Sequence, residues 1–407
     1  MIRTWISFIL SIQVFFSFSP PHRYLNHKMS SEVKASLLHG VKELKIETRP
    51  LPSPAATEVQ VAVQATGLCG SDLHYYNHYR NGDIIVQEPL TLGHESSGVV
   101  TEVGSAVSDL KVGDKVALEV GLPCLDCELC KEGRYNICKT LKFRSSAKSF
   151  PHFQGTLQER INHPAAYCYK LPPTVSLEQG AILEPLGVAI HGARRAALKE
   201  GSTVLILGAG AVGLLCAAMS KVNGAKKVII ADIQAERVEF AVQNKFADAS
   251  IVVPMKRPQA IEEKLAFAKE VAELVKAQTE KGEVDAVFEC TGVESCLQAA
   301  IYSTRPGGRI LLIGMGSPIQ TLPISAAALR EVDLVGVFRY ADTYKEAIEL
   351  VSSGNSLFPD LSKLITHRFK GFGEIPNAFA MAGRVKDDEG NLVLKVLIDT
   401  EKRESHI

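Results

Sequence analysis

The chain has 407 residues, 46% of them hydrophobic and 22% charged, which is ordinary for a folded globular protein and excludes both a disordered chain and a multi-span membrane protein. That length carries two or three domains with cores of their own. Lys and Arg (45) balance Asp and Glu (45), so there is no basic excess to hold a phosphate backbone, and nucleic acid is not an expected partner.

At the N-terminus, Trp5 to Ser19 is a nearly unbroken apolar run behind Arg3, similar to the hydrophobic region of a secretory signal. It is short for a membrane span and is followed by Pro20-Pro21. No small-residue cleavage site follows, and no Asn-x-Ser/Thr acceptor occurs in the chain. Met29-Ser30-Ser31-Glu32 reads as an ordinary cytosolic start. The expectation is that residues 1–28 are an upstream extension or removable leader outside the fold, that the folded part is cytoplasmic, and that it has no membrane partner. The C-terminal Ser405-His406-Ile407 faintly resembles a peroxisomal address, too short to carry weight.

From Val33 to about Leu183 the pattern is strand-like, broken by Gly and Pro. Val59, Val61, Val63 and Ala65 alternate with polar residues, the period of a half-buried strand. Val99-Val100 and Val116-Ala117-Leu118 continue it, separated by the turn-forming Lys111-Val112-Gly113-Asp114. Within this β-rich unit Cys124, Cys127, Cys130 and Cys138 form a C-x2-C-x2-C-x7-C run, between Gly121-Leu122-Pro123 and Lys139, in a loop-like stretch with nothing to bury it. Four thiolates so close can wrap one tetrahedral zinc ion, which would order the loop. A disulfide pair needs an oxidising compartment. An iron–sulfur cluster accounts for the first three cysteines, but the gap of seven and the absent following proline depart from the ferredoxin pattern. Zinc fits best. The other five of nine cysteines (Cys69, Cys168, Cys216, Cys290, Cys296) are scattered, which suits a reducing compartment.

Near Gly201 the texture changes to alternating apolar runs and helical stretches. The runs are Thr203–Leu207, Lys227–Ala231, Asp285–Phe288, Arg309–Ile313 and Leu334–Val337, with a helix from Val212 to Val222. Continuous apolar strands alternating with helices imply an α/β unit with a parallel sheet covered on both faces. Gly208-Ala209-Gly210-Ala211-Val212-Gly213 is G-x-G-x-x-G placed between the first strand and the helix. There the first glycine permits the tight turn, the second lets backbone approach a pyrophosphate, and the third, one residue past Val212, lets helix and strand pack. Asp232 ends the next strand, about twenty residues on, where a carboxylate binds ribose hydroxyls and repels a 2′-phosphate. NAD is therefore favoured over NADP, with Arg237 the one nearby cation that bears on a phosphate. Lys256 to Lys281 is charge-rich and reads as a solvated helix. A further helix, Tyr344 to Val351, and a final strand, Leu392–Ile398, complete the chain.

Three further segments carry reactive side chains: Thr66-Gly67-Leu68-Cys69-Gly70-Ser71-Asp72-Leu73-His74, Gly93-His94-Glu95 and Glu184-Pro185. Cys69, His94 and Glu95 are a thiolate, an imidazole and a carboxylate, enough to hold a catalytic zinc with one open position. Taken singly each also has an ordinary structural reading: Cys69 a small buried residue, His94 a core histidine, Glu184 an acid near a helix start.

Gly67–Tyr76 (GLCGSDLHYY), Leu92–Val100 (LGHESSGVV), the four-cysteine loop, Leu183–Gly192 (LEPLGVAIHG), Leu207–Leu215 (LGAGAVGLL) and Val335–Tyr344 (VGVFRYADTY) together resemble, in collinear order, the zinc-dependent medium-chain dehydrogenases. The similarity is to their polyol branch, typified by sorbitol and xylitol dehydrogenases, and spans nearly everything from Met29 onward. It implies a GroES-like catalytic domain, residues 33–187 and 339–400, with a structural zinc loop at 121–139. It also implies a Rossmann dinucleotide-binding domain, residues 188–338, set between those segments. Cys69, His94 and Glu95 become ligands of a catalytic zinc, with Glu184 holding or replacing its water, and Cys124, Cys127, Cys130 and Cys138 hold a second zinc. Glu184 stands where the alcohol-dehydrogenase branch has a cysteine, which points to polyols. Ser71 and His74 take the proton-relay positions, and Tyr75, Phe143, Arg339 and Tyr340 the substrate contacts. Gly208, Gly210, Val212, Gly213, Asp232 and Arg237 face NAD. The implied reaction oxidises a polyol to a ketose with transfer of hydride to NAD, in a homotetramer or homodimer. Two rivals stand beside it: the same fold acting on threonine, a simple alcohol or a biosynthetic intermediate, and a non-catalytic nucleotide-binding protein.

Overall fold

A computed structural model describes residues 31–400; the expectations for residues 1–28 and for Ser405–Ile407 lie outside the described residues. The β-rich unit is built on a sheet whose lateral order is Cys168–Lys170, Lys115–Leu118, Glu95–Val103, Glu58–Gly67, Lys395–Asp399 and Ile365–Lys370, with Arg160–Pro164 also pairing Glu58–Gly67. The alternation at Val59–Ala65 does mark a strand, but a central one with partners on both sides, so Gln60 is buried as well and bonds to Asn162, Arg160 and Thr101. The last strand begins at Lys395 instead of Leu392 and returns to the N-terminal part of the unit, with Leu397 opposite Gly67 and Ile398 opposite Thr66. That pairing brings the strand Lys395–Asp399 to the turn that carries Cys69.

The strand-like reading fails before Leu183. A 20-residue helix, Leu177–Ala196, begins at Ser176, whose hydroxyl accepts from the Gln179 N–H while the Gln179 side chain accepts from the Ser176 N–H. This capping box overrides the β-rich context. Ala181, Ile182, Leu183, Leu186, Ala189, Ile190 and Ala193 give the helix a buried stripe that joins the cores of the two units. Pro185 lies inside it, next to Glu184.

The second unit is a six-stranded, wholly parallel sheet: Thr203–Leu207, Lys227–Asp232, Ala249–Val252, Val284–Glu289, Thr304–Leu312 and Asp333–Gly336. Numbered along the chain, the lateral order is 3-2-1-4-5-6, the doubly wound order whose switch point lies between the first and fourth strands. Apolar side chains of Val204, Leu205, Ile206 and Leu207 point to both faces and are all buried, which is why these strands read as unbroken hydrophobic runs. The charge-rich stretch forms the helix Ile261–Lys276, but it is not simply solvated: Phe267, Ala268, Val271, Ala272 and Val275 bury one face of it.

Candidate active site and cofactor cleft

Cys69 is the N-cap of the helix Gly70–His78, and its N–H donates to Asp72 Oδ2 at 3.2 Å. Asp72 is fully buried, and its other oxygen accepts from the Gly93 N–H (3.1 Å) and the Ser145 hydroxyl (2.8 Å) while standing 3.3 Å from His94 Nδ1. One carboxylate thus fixes the Cys69 turn and the His94 segment together. Burial works against a charge on His94, yet Asp72 and Cys69 raise its pKa well above the ordinary value, so metal and proton compete for this imidazole.

Glu95 sits opposite Gly67 across the antiparallel ladder, and a Cβ on Gly67 would strike its carboxylate. Ligand atoms of Cys69, His94 and Glu95 all lie within 4.8 Å of one another, a span that one metal ion can bridge. Glu184 is not a member of that set. It is buried near it: burial pushes its carboxyl up to about 7, His94, Arg339 and Lys395 pull it down, and Glu95 pushes it up. Its helix position, eight residues in, is not an N-terminal one. Lys395 was not legible as a site residue. Its Nζ donates to both Glu95 oxygens at 2.7 Å and to Leu68 O at 3.1 Å, in a fully enclosed setting. Asp72 was legible only as part of a run; its i+3 spacing from Cys69 is the signal of a capping acid.

Around this centre, Ser71 and His74 share one face of the Gly70–His78 helix, both half-buried. Tyr75 is buried, its hydroxyl accepting from the Ala147 N–H at 3.2 Å. Phe143 is buried with its ring centroid 5.5 Å from that of His94, and the Arg339 guanidinium lies 3.2 Å from the Phe143 centroid. Burial lowers the Arg339 pKa to about 10, and Tyr340, Glu184, Tyr75 and Cys69 oppose the drop. The four expected substrate contacts therefore gather with Glu184 at one place. Arg339 Nη1 is buried with no hydrogen-bond partner among the described residues.

The four-cysteine loop is more structured than expected. It holds a helical turn, Glu128–Lys131, and a 3-10 turn, Tyr135–Ile137, and Cys138 and Asn136 are buried. Cys124, Cys127, Cys130 and Cys138 bring their sulfurs together within 4.8 Å. All nine cysteines are unpaired thiols. Four converging sulfurs with no disulfide among them fit a tetrahedral zinc.

In the cofactor cleft, Gly208 has φ +97°, a conformation glycine adopts freely, and a Cβ on Gly213 would collide with Gly208 O. Gly210 caps the helix Ala211–Val222 with open space beyond its Cα, and Val212 lies half-buried in the first turn. Asp232 Oδ2 accepts from the Ala209 N–H (2.7 Å) and Oδ1 from the Gln234 N–H (2.9 Å), so the acid also shapes the glycine turn. Arg237 is half-buried in the next helix, Ala235–Gln243, its Nε without a partner among the described residues. A helix N-terminus with a bare glycine backbone is suited to a pyrophosphate.

A parallel sheet of this order, a glycine turn and a thiolate–imidazole–carboxylate centre define a zinc-binding dehydrogenase. Residues 55–173 match the alcohol dehydrogenase GroES-like domain and residues 211–353 the zinc-binding dehydrogenase family. The chain is 41% identical to sorbitol dehydrogenase of Gallus gallus over 82% of its length and 89% of that protein. It is 45% identical to a "probable D-xylulose reductase A" of Arthroderma otae, over 78% of this chain and 86% of that one. Its fold is similar to that of L-idonate 5-dehydrogenase from Escherichia coli, with a TM-score of 0.77 at 26% identity over 91% of this chain and 99% of the other. The chain belongs to the zinc-binding, medium-chain alcohol dehydrogenase family.

Proposed function

We propose that the protein is an NAD-dependent, zinc-containing polyol dehydrogenase acting on a secondary alcohol of the sorbitol, xylitol or arabinitol class. The carrying observation is the half-buried Arg339, whose guanidinium rests on Phe143, interacts electrostatically with Glu184 and keeps a buried Nη1 without a partner among the described residues. A buried guanidinium donor suits a substrate rich in hydroxyls better than a plain alcohol.

Cys69, His94 and Glu95, with Glu184 beside them, hold the catalytic zinc, and Cys124, Cys127, Cys130 and Cys138 the structural one. When bound, the catalytic zinc supplies the Lewis acidity that makes a secondary hydroxyl acidic near neutral pH, and NAD supplies the hydride acceptor. The chain's own groups do the rest. Ser71 Oγ and the His74 ring carry the released proton outward, with Glu184 as an alternative acceptor. Arg339 donates to hydroxyls next to the reacting carbon, and Tyr75, Phe143 and Tyr340 wall the pocket. Gly208, Gly210, Val212 and Gly213 cradle the pyrophosphate, Asp232 takes the ribose hydroxyls, and Arg237 stands by the phosphates.

A homo-oligomer is supported by the outermost strand, Asp333–Gly336, which among the described residues is paired on one side only, and by the exposed Leu329 and Ile319 in the segment before it. Nine unpaired cysteines support a cytoplasmic setting. Among the described residues no helix is long and apolar enough to cross a membrane. A substrate panel with NAD and NADP tests the function: the expected result is preferential NAD reduction with sorbitol, xylitol or arabinitol. Preference for threonine or a simple alcohol would overturn it.

A further inference from the structure

Arg339 and Tyr340 lie in the segment that leaves the parallel sheet at Gly336 and re-enters the β-rich unit at the helix Tyr344–Ser352. Two of its residues, Arg339 (φ +52°) and Asp342 (φ +53°), are left-handed although neither is glycine. Such conformations persist only where surrounding contacts fix them, and they are associated with functional positions. The contacts here come from an unexpected place. Asn136 Nδ2 donates to Phe338 O at 2.7 Å, and the Tyr135 hydroxyl accepts from the Asp342 N–H at 2.6 Å. These two bonds bracket Arg339 and Tyr340, and both come from the 3-10 turn between the third and fourth cysteines of the lobe.

The lobe side is itself firmly held. Tyr135 donates to Glu119 Oε1 at 2.6 Å, and Tyr169 donates to Glu119 Oε2 at 2.8 Å. Glu119 is buried, so both of its oxygens need these donors. Phe143, on which the Arg339 guanidinium rests, pairs with Gly121 at the base of the same lobe. From the opposite side Arg194 Nη1 donates to Ala341 O (3.1 Å) and Asp342 O (3.0 Å), so the segment is pinned between the long helix and the lobe.

We infer that Tyr135 and Asn136 are positioning residues for the polyol pocket: the four-cysteine lobe acts as a latch that holds Arg339 over Phe143 and so sets preference for neighbouring hydroxyls. This rests on the reading of Arg339 as the hydroxyl-binding residue. The latch consists of one N–H acceptor (the Tyr135 hydroxyl) and one amide donor (Asn136), each removable with little change of shape.

The test uses Tyr135→Phe, Asn136→Asp (isosteric but unable to donate to a carbonyl when ionised) and Arg339→Ala, each zinc-loaded and checked for two zinc ions per subunit. kcat/KM is measured for xylitol and for butan-2-ol, which has no neighbouring hydroxyl. Each latch variant is expected to lower the xylitol-to-butan-2-ol ratio about tenfold, the scale of one hydrogen bond, with the KM for NAD unchanged. In the Arg339→Ala background, Tyr135→Phe is expected to change the ratio no further, because the latch acts through the guanidinium. Equal losses on both substrates, an unchanged ratio, or an additive effect in the double variant would overturn the latch. If the unaltered protein itself fails to prefer xylitol, the polyol reading falls instead, which keeps the two failures distinct.

Discussion

Lys395 Nζ stands 2.7 Å from both carboxylate oxygens of Glu95, a residue 300 positions earlier in the chain. The register of the last strand against Glu58–Gly67 makes the pair, and the enclosed surroundings give Glu95 few other partners. A carboxylate has lone pairs enough to accept from an ammonium and still ligate a metal. Lys395 therefore holds the Glu95 carboxylate oriented toward Cys69 and His94.

Removing that ammonium leaves a buried charge unpaired, at a cost of about 3–5 kcal/mol. A divalent metal at Cys69, His94 and Glu95 supplies the missing positive charge. Lys395→Met is thus expected to lose much thermal stability in chelator-treated protein and far less when zinc-loaded, as followed by calorimetry on both forms. An equal loss in the two forms would mean that the metal does not sit at Glu95.

Glu184→Ala is expected to cut turnover by roughly two to four orders of magnitude, the range of a positioned proton-transfer group. Because the side chain lies near His94 and Glu95 and not at the glycine turn, NAD affinity in a fluorescence titration is expected to stay near that of the unaltered protein. Full turnover in the variant would remove Glu184 from the reaction.

Asp232→Ala removes the acceptor of the Ala209 and Gln234 N–H groups and the expected partner of the ribose. Hydrogen bonds to a charged group are worth about 1.5–3 kcal/mol, so NAD should bind at least about tenfold more weakly. The preference over NADP, read from initial rates with each cofactor, is expected to shrink at the same time. An unchanged preference would place cofactor selection elsewhere.

His163 gives a pH dependence. Burial, reinforced by the adjacent Arg144 cation and opposed by the Glu119 carbonyl, lowers its pKa to about 3, against 6.5 when exposed. Between those values the unfolded chain takes a proton that the folded one refuses. Its contribution to stability is therefore complete above about 6.5 and is lost as pH falls towards 3, at about 1.4 kcal/mol per pH unit. His163→Asn is expected to flatten the stability profile by one proton in denaturant titrations from pH 7 to 5. A slope unaltered by the substitution would show that His163 already carries its proton in the fold.

Much of this was readable in the residues, where local signals coincide with local structure. The glycine turn lies between a strand and a helix that its own neighbours specify, and four cysteines within fifteen residues need no tertiary information to meet. The start of the long helix at Leu177 was missed because the capping box of Ser176 and Gln179 was masked by the β-rich pattern around it. Lys395 could not be found, because only the strand register brings it to Glu95. The docking of Tyr135 and Asn136 on the Phe338–Asp342 segment was equally hidden, since about 200 residues separate the partners and neither side chain stands out by type.

The central claim is that Cys69, His94 and Glu95 hold a zinc ion that activates a polyol hydroxyl. The most direct measurement is zinc content per subunit together with NAD reduction by xylitol and sorbitol, for the unaltered protein and for Cys69→Ala. The account requires two zinc ions and polyol oxidation in the first, and one zinc ion with no oxidation in the second. Two zinc ions and undiminished oxidation in Cys69→Ala would contradict it.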